Sequence, residues 1–357
     1  MMTDNRLKKL RREMAAAGID AALISQPENR HYLSGFKGSA GYLLISRDRA
    51  VLATDFRYTE QAGAQAPGYE IIKISGSPNQ WLLELVSGLR PPRLGFEEDF
   101  TTAAWYRQTS EILSRQSPKP RLVPIDGIIS ALRAVKEPEE VELISRASAI
   151  SDAALAYAEE ILRPGISEQQ MAWELEKFMR EHGSEALPFD IIVASGPNAA
   201  MPHAQPSPRI IAAGEPVLID MGARAGGYCS DLSRTLFTGK PDSALSQIYS
   251  TVLDAQHTAM SIIKEGISGE QADLAARKVI EKAGYGEAFG HSLGHGVGLA
   301  PHEVPRLGPG AGDLLANGMV FTIEPGIYLP GYGGVRIEDL AIMENGRARA
   351  ISKARKD

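Results

Sequence analysis

The sequence is organised around residues 291–339, which contain the segments HSLGHGVGLAPHE (291–303), FTIEPGIY (321–328) and VRIED (335–339). Three of the seven histidines in the chain, His291, His295 and His302, lie in the first segment. The other two segments carry Glu324 and Glu338 within runs that otherwise have the composition of apolar strands. An acid buried among aliphatic residues is costly unless a partner compensates its charge. The stretch therefore predicts a site at which buried charges are paired.

The same placement of acids in apolar strands occurs upstream, in VLID (217–220) and YCSD (228–231). A glycine-rich stretch at 222–227 separates Asp220 from Asp231, and glycines and prolines between 325 and 334 separate Glu324 from Glu338. Each pair is spaced for a strand–turn–strand hairpin, which can bring both carboxylates to one face. We therefore expect the four carboxylates to converge.

Four converging carboxylates would repel one another, and their pKa values would rise. Two divalent cations would cancel the four negative charges. His295, which has a glycine on each side, is the candidate imidazole ligand, because glycine lets the backbone approach a crowded centre. A set of four carboxylates and one imidazole favours Mn²⁺ or another octahedral ion. Two such ions can activate water at neutral pH and polarise a carbonyl, which predicts metal-assisted hydrolysis.

The composition is typical of a globular protein with more than one domain. The chain has 357 residues, of which 43% are hydrophobic and 23% charged, and a net charge of −6, which does not support nucleic-acid binding. No run approaches the ~20 apolar residues of a membrane span, and the charged N-terminus lacks the apolar stretch of a signal peptide. The one cysteine, Cys229, excludes an internal disulfide and is expected to be a small buried residue. We expect a cytoplasmic protein without membrane contact.

The first third of the chain alternates helical and strand patterns. Helices are predicted over 5–18, 57–66, 79–89 and 101–115, and short strands over 21–25, 42–45, 50–53, 70–74 and 93–96. This alternation predicts an α/β layer with a mixed sheet. Several prolines over 117–138 predict an irregular connection that crosses between domains. We place the domain boundary at about residue 130, between domains 1–130 and 131–357.

Two similar segments, GISEQQ (165–170) and GISGEQ (266–271), indicate an internal repeat. Each has a glutamine three residues after the serine, which is the pattern of a capping box at a helix start. Each follows a predicted long helix, 139–162 or about 243–264, and precedes a shorter helix that leads to a histidine-bearing segment. The repeat predicts two halves related by a pseudo-twofold axis, with a site in the cleft between them. Two unrelated helix caps that look alike are the alternative.

Two competing motifs can be weighed against the metal site. The segment GHSLG (290–294) matches the serine-hydrolase pattern Gly-x-Ser-x-Gly, but that fold needs an acid and then a histidine downstream of the serine. The last histidine is His302, and the sequence has no acid between Ser292 and His302. The zinc motif His-Glu-x-x-His is also absent, because Arg306 stands where the second histidine would be. Both motifs are rejected.

Taken together, the motifs resemble those of the pita-bread metallopeptidases, and among these the Xaa-Pro dipeptidases (prolidases) and aminopeptidase P. The resemblance is carried by the Asp220–Asp231 hairpin, GHG (294–296) with HE (302–303), TIEPG (322–326) and RIED (336–339). RHYLSGF (30–36) is similar to the creatinase-type N-terminal domain, and RAVKEPEE (133–140) to the entry of the catalytic domain. The resemblance covers nearly the whole chain. It implies an α/β (α+β) protein with a creatinase-like N-terminal domain and a pita-bread domain of two duplicated halves.

The resemblance also implies a dinuclear site with two divalent ions, usually Mn²⁺, with Co²⁺ or Zn²⁺ as alternatives. Asp220 would hold one ion, His295 and Glu324 the other, and Asp231 and Glu338 would bridge them. A metal-bridging hydroxide would be the nucleophile and Glu324 its general base. Other matching positions are implied to handle substrate and protons (His203, His291 and His302) or to bind substrate (Arg306, Arg336 and Tyr328).

The implied activity is hydrolysis of the bond between an N-terminal residue and proline in dipeptides or short peptides. The family likeness further implies a homodimer in which the partner's N-terminal domain borders the cleft. The choice between a dipeptidase and an aminopeptidase stays open, because Arg306 could pair with the C-terminal carboxylate of a dipeptide or be a solvated charge on the rim. A methionine-aminopeptidase-like enzyme, which the N-terminal domain argues against, and a non-catalytic peptide-binding relative, which the full ligand set argues against, are the alternatives.

Overall fold

Six short strands form one mixed sheet in the N-terminal unit of the computed structural model, which describes residues 2–356 and divides into two units between Arg133 and Ala134. The strands are β1 (Ala21–Ile24), β2 (Tyr42–Ser46), β3 (Ala50–Thr54), β4 (Glu70–Lys73), β5 (Arg93–Phe96) and β6 (Arg121–Pro124). Their order is β4-β3-β2-β1-β5-β6; β2 is antiparallel to both of its neighbours, and the other pairs are parallel. The predicted mixed sheet is confirmed.

Six helices accompany this sheet: α1 (Met2–Ala16), α2 (Pro27–Ser34), α3 (Thr59–Gln65), α4 (Pro78–Ser87), α5 (Ala103–Leu113) and α6 (Asp126–Ala134). Segment 117–138, predicted only as a crossover, therefore contains β6 and α6. Pro124 is tolerated at the end of β6 because this edge strand pairs with β5 on one side. Ile129 is fully buried and anchors α6.

The C-terminal unit repeats one order of elements, a long helix, a short helix and a sheet. In the first half, α7 (Pro138–Ile161) and α8 (Glu168–Glu181) precede β7 (Ile192–Ser195), a 3-10 turn (Gly196–Ala200), β8 (Pro216–Met221) and β11 (Leu232–Phe237). The three strands form a sheet in the order β11-β8-β7. A two-stranded ribbon of β9 (Arg224–Ala225) and β10 (Tyr228–Cys229) lies between β8 and β11 in the chain.

The second half begins with α9 (Ser243–Ile262), α10 (Gly269–Lys282) and a 3-10 turn (Gly286–Ala288). Its sheet has the order β13-β12-β14-β17-β18 and is built from β12 (Gly294–Gly296), β13 (Glu303–Leu307), β14 (Val320–Ile323), β17 (Asp339–Glu344) and β18 (Arg347–Ala350). A second ribbon, β15 (Gly326–Leu329) and β16 (Gly333–Arg336), separates β14 from β17 in the chain. Within residues 2–356, no helix combines the length and the apolar character that crossing a membrane requires.

Matching hydrogen bonds support the duplication. Ser167 and Ser268 are the N-caps of α8 and α10, and both have the predicted capping box with the glutamine three residues later. The glycine two residues before each serine donates its N–H to a later segment, at the carbonyl of Ile211 in the first half and of Leu315 in the second. Each half also has its own cluster of buried apolar residues. Two unrelated helix caps would not be expected to make these equivalent hydrogen bonds.

We expect Ser167→Ala and Ser268→Ala each to lower the free energy of unfolding of the metal-free protein by about 1 kcal/mol, because each removes the acceptor of an N-cap. Oγ of Ser167 accepts the N–H of Gln170 at 3.1 Å, and Oγ of Ser268 accepts that of Gln271 at 3.2 Å. Urea denaturation followed by circular dichroism measures the change. Ser250→Ala on exposed α9 surface is the control and should not destabilise, because alanine has the higher helix propensity. Equal losses in all three variants would contradict the capping role.

Candidate metal centre

The four predicted acids lie mostly at the ends of strands. Asp220 is inside β8, whereas Asp231 precedes β11, Glu324 follows β14, and Glu338 lies between β16 and β17. The expectation that all four are within strands is therefore wrong for three of them. Pro325 ends β14 because it has no N–H for the ladder, and the other two acids occupy the short gaps between a ribbon and a sheet.

Strand pairing brings these acids to one place. In the first half, the antiparallel pairing of β8 and β11 sets Asp220 opposite Ser233, two residues after Asp231. In the second half, the residue before Glu324 pairs with the residue after Glu338, because β14 and β17 run antiparallel. The N–H of Glu338 donates to the carbonyl of Ser233 at 3.0 Å and joins the two halves. All four acids line one cavity of about 440 Å³.

His295 faces two of the acids. Its Nε2 lies 3.2 Å from Oε1 of Glu324 and 3.8 Å from Oδ2 of Asp231. Its Nδ1 lies 3.1 Å from the carbonyl oxygen of Gly296 and carries the proton that this contact needs. Nε2 is therefore the nitrogen that faces the carboxylates: when protonated it donates to Glu324, and when unprotonated it can offer its lone pair to a cation, which is the orientation of an imidazole ligand.

The glycines beside His295 are needed for close strand packing and not for approach to the charged centre. A side chain at Gly294 would collide with the carbonyl of Thr322 in β14, and one at Gly296 with the carbonyl of Val304 in β13. Because β12 lies between these two strands, it fits only with glycine at both positions. The physical reason given from the sequence, approach to a crowded charged centre, is corrected accordingly.

The acids carry more negative charge than their surroundings compensate. Burial, and then the Glu338 carboxylate, raise the pKa of Asp231 well above its usual range. Burial, and then the Glu324 carboxylate, have the same effect on the pKa of Glu338. Burial also raises the pKa of Asp220. Burial alone would raise the pKa of Glu324 too, but the hydrogen bond and charge of His295 lower it to about 2.

The donors present fit divalent cations. Asp231, His295 and Glu338 each offer one ligand atom, and these atoms all lie within 4.8 Å of one another. Oδ1 of Asp220 is buried and has no hydrogen-bond partner among the described residues, which is costly for a carboxylate oxygen unless something else binds it. Carboxylate oxygens with a single imidazole suit hard or borderline divalent ions. A cation would also offset the burial and the mutual repulsion that raise the pKa values of Asp220, Asp231 and Glu338.

Arg336 connects the acids to the predicted substrate-side residues. Its Nη2 donates to Oδ2 of Asp220 at 2.5 Å, its Nε to Oγ of Ser233 at 2.9 Å, and its Nη1 to the hydroxyl of Tyr328 at 2.9 Å. That hydroxyl lies 2.9 Å from Nε2 of His291. Burial raises the pKa of Tyr328 to about 12 and lowers the pKa of His291. The hydroxyl therefore stays protonated and donates a hydrogen bond to a neutral imidazole.

The remaining predicted residues lie around the same cavity. The ring of His302 packs on that of His295 with centroids 4.2 Å apart, and burial, followed by the charge of His295, lowers the pKa of His302. His203 is exposed and lines the cavity. Arg306 is exposed, and its Nε lies 3.3 Å from Oγ of Ser292, which lines the cavity. Arg306 is thus one side chain removed from the lining.

Two hydroxyl residues at the centre were missed in the sequence. Oγ of Ser233 donates to Oε2 of Glu338 at 2.8 Å, and Oγ1 of Thr322 donates to Oε1 of Glu324 at 2.9 Å while accepting the N–H of His295 at 3.1 Å. Ser233 lies two residues after one predicted acid, and Thr322 two before another. Because side chains two apart on a strand share a face, that spacing was the available signal. Cavity walls at 189–192 and 202–206 were also missed, apart from His203.

Known proteins share both parts of this architecture. Residues 6–135 match the Creatinase/Prolidase N-terminal domain, and residues 142–345 match Metallopeptidase family M24. Over 99% of both chains, the protein is 41% identical to the solved structure of a Xaa-Pro dipeptidase from Bacillus anthracis, with a TM-score of 0.94. For an X-Pro aminopeptidase from Thermotoga maritima, the values are 35% identity, 98% of both chains and a TM-score of 0.91. A Xaa-Pro dipeptidase of Pyrococcus furiosus is 35% identical over 99% of both chains.

These matches confirm the resemblance and the fold class predicted from the sequence. The M24 match spans the carboxylates, the histidine of the centre and both helix-capping repeats. The chain therefore belongs to metallopeptidase family M24, a family of hydrolases, with a creatinase-type N-terminal domain ahead of a pita-bread catalytic domain.

Proposed function

We propose that the protein hydrolyses the bond between an N-terminal residue and proline in dipeptides or short peptides, with two divalent ions at the carboxylate–histidine centre. The observation that carries the proposal is the convergence of Asp231, His295 and Glu338, whose ligand atoms lie within 4.8 Å of one another. Beside them is Oδ1 of Asp220, for which residues 2–356 supply no hydrogen-bond partner. Relatives named Xaa-Pro dipeptidase and X-Pro aminopeptidase support the substrate class. Mn²⁺ is the ion we propose because oxygen donors dominate, with Co²⁺ and Zn²⁺ as alternatives.

We assign Asp220 to one ion, His295 and Glu324 to the other, and Asp231 and Glu338 to both. When bound, the ions would make water nucleophilic at neutral pH and polarise the scissile carbonyl. We assign Glu324 as the general base, because its carboxylate lines the cavity beside the other assigned ligands and can accept a proton from the activated water.

The leaving group explains why histidines surround the cavity. When the bond to proline breaks, its electron pair stays on the proline nitrogen, which must gain a proton to leave as an amine. His302 and His203 both line the cavity and are the residues to which we assign this transfer and the orientation of the substrate. Beside these two histidines, a chain of hydrogen bonds runs from His291 through Tyr328 and Arg336 to Asp220.

We further propose that residues 1–130 are the creatinase-like domain and residues 131–357 the catalytic domain, in a cytoplasmic homodimer whose partner's N-terminal domain borders the cleft. The division of the structure between Arg133 and Ala134 supports the domain assignment. The single cysteine, a buried thiol, fits a reducing compartment.

Treating the protein with a chelator should abolish release of proline from a Xaa-Pro dipeptide, and adding Mn²⁺ back should restore it. The reason is that the carboxylates cannot activate water for attack without the ions. Free proline and bound metal are measured on the same samples. A non-catalytic peptide-binding relative would bind the dipeptide and release no proline in either state. Turnover that continues at full rate without bound metal would rule out the metal-dependent reaction.

We predict that Asp231→Asn and Glu338→Gln lose both metal and rate, because each removes a charge assigned to both ions. His203→Ala and His302→Ala should keep the metal and lose kcat, because they act on substrate. Metal content of the purified variants, measured beside kcat, separates the two classes. If His302→Ala empties the site, the ligand assignment is wrong.

Arg306→Ala tests the choice between dipeptides and longer peptides. A charge-assisted bond to the free carboxylate of a dipeptide is worth roughly 1.5–3 kcal/mol, so kcat/KM for the dipeptide should fall about ten- to a hundredfold. A Xaa-Pro tripeptide carries its carboxylate elsewhere and should be affected much less.

Arg347→Ala, at an exposed arginine of β18, is the matched control and should leave both substrates unchanged. Equal losses on the two substrates in Arg306→Ala would indicate a structural role for Arg306 and remove this reason for favouring a dipeptidase.

A further inference from the structure

Glu168, the first residue of α8, is fully buried and accepts hydrogen bonds from both ends of one loop. Its Oε1 accepts the N–H and the hydroxyl of Ser195, each at 2.7 Å. Its Oε2 accepts the N–H of Ser207 at 3.0 Å and the hydroxyl of Ser207 at 2.6 Å. Nδ2 of Asn198 lies 3.1 and 3.2 Å from the two oxygens. One carboxylate thus closes the segment 195–207 into a loop.

This loop is part of the cavity wall. Its residues 202–206, which include His203, line the cavity beside the four acids. Nη1 of Arg336 donates to the carbonyl of Pro202 at 3.2 Å, and Nη2 of the same side chain donates to Asp220. The loop is therefore held at its two ends by Glu168 and at its middle by a residue bonded to the metal centre.

The bonding pattern requires a carboxylate at position 168. Both oxygens of an ionised carboxyl accept hydrogen bonds, whereas the amide of glutamine has one accepting oxygen and one donating nitrogen. Glutamine has nearly the same size, so it would preserve the packing and leave the donors of one loop end without an acceptor. The start of α8 also favours a negative charge through the helix dipole.

The second half holds a histidine segment in a comparable way. Asp273 of α10 accepts the N–H of Leu293 at 3.0 Å and pairs with Arg277 at 2.8 and 2.9 Å. Arg277 donates to the carbonyl of His291 at 2.9 Å. In each half, then, a buried carboxylate of the short helix holds the backbone that carries a cavity histidine. Because the arrangement recurs in both halves, we take it that Glu168 and Asp273 help to place the histidines and do not only stabilise their helices.

We propose that Glu168 is a positioning residue for the reaction, which it serves by fixing the loop that presents His203 to the cavity. The inference rests on the proposed function, in which His203 acts on the substrate. Glu168 does not touch the substrate; its effect passes through the placement of the imidazole.

In the Mn²⁺-loaded protein, Glu168→Gln should lower kcat for a Xaa-Pro dipeptide by roughly ten- to a hundredfold, because displacing a reacting group by about 1 Å has effects of this size. KM should change less, and metal content should stay at the wild-type value. Ser167→Ala, which removes the cap of the same helix and leaves the loop bonds in place, is the matched control and should keep wild-type kcat. Wild-type kcat in Glu168→Gln would overturn the proposal.

A double-mutant cycle distinguishes positioning from general damage. If Glu168 acts through His203, Glu168→Gln should cost no more than about twofold in a His203→Ala background, because the two changes then remove the same interaction. Losses that multiply would overturn the proposal. Should Glu168→Gln fail to fold, Ser207→Ala carries the same test, since it removes one donor at the partly exposed end of the loop.

Hydrogen exchange supplies a measurement that needs no substrate. Glu168→Gln should speed amide exchange in the peptide covering 196–207 of the metal-free protein, and Ser167→Ala should not. Unchanged exchange in Glu168→Gln would overturn the proposal even if the rate falls. Conversely, if the wild type cleaves no Xaa-Pro peptide, the proposed function fails, while faster exchange still identifies Glu168 as the residue that holds the loop.

Discussion

Repulsion among buried carboxylates is the constraint on which the catalytic unit depends. Asp220, Asp231, Glu324 and Glu338 line one cavity, and only Asp220 bonds directly to a guanidinium, that of Arg336, among the described residues. Two unit charges 4 Å apart interact by about 4 kcal/mol even at an effective dielectric constant of 20. Burial first, and then the neighbouring carboxylates, raise the pKa values of Asp231 and Glu338. A divalent cation at this centre would compete with protons for the carboxylates, so its binding would be linked to pH.

Carboxylates that repel one another must be held in place by rigid neighbours, and a buried ion pair next to Glu338 does this. Arg234, itself fully buried, pairs with Asp339 at 2.8 Å and also donates to the carbonyls of Glu338 and Ala354. The backbone beside Glu338 is therefore tied to β11 on one side and to the C-terminal segment on the other. Breaking a buried pair of this kind by removing one partner typically costs about 3–5 kcal/mol, which indicates how firmly the carboxylate is placed.

The duplicated halves divide the work between them. The first half contributes Asp220 and Asp231 on one sheet with its ribbon, and the second contributes His295, Glu324 and Glu338 on the other. Each half also supplies a histidine segment tied to its own short helix. Arg336 links both segments to the acids, because it bonds to Pro202, to Tyr328 and to Asp220.

Local pattern and charge by themselves determined many of the helices and strands, although not α2, β6 or α6. They also determined the capping boxes at Ser167 and Ser268 and the choice of the four acids, because periodicity, cap residues and acids in apolar runs are properties of neighbouring residues. Tertiary structure alone decided that three acids lie at strand ends and that Ser233 and Thr322 support them. It also decided that Glu168 closes the loop carrying His203, across 27 and 39 residues of chain. Local spacing places Ser233 and Thr322 on the same strand face as an acid, but a hydroxyl or a carboxylate at a helix start has many possible partners, and only the tertiary packing selects one.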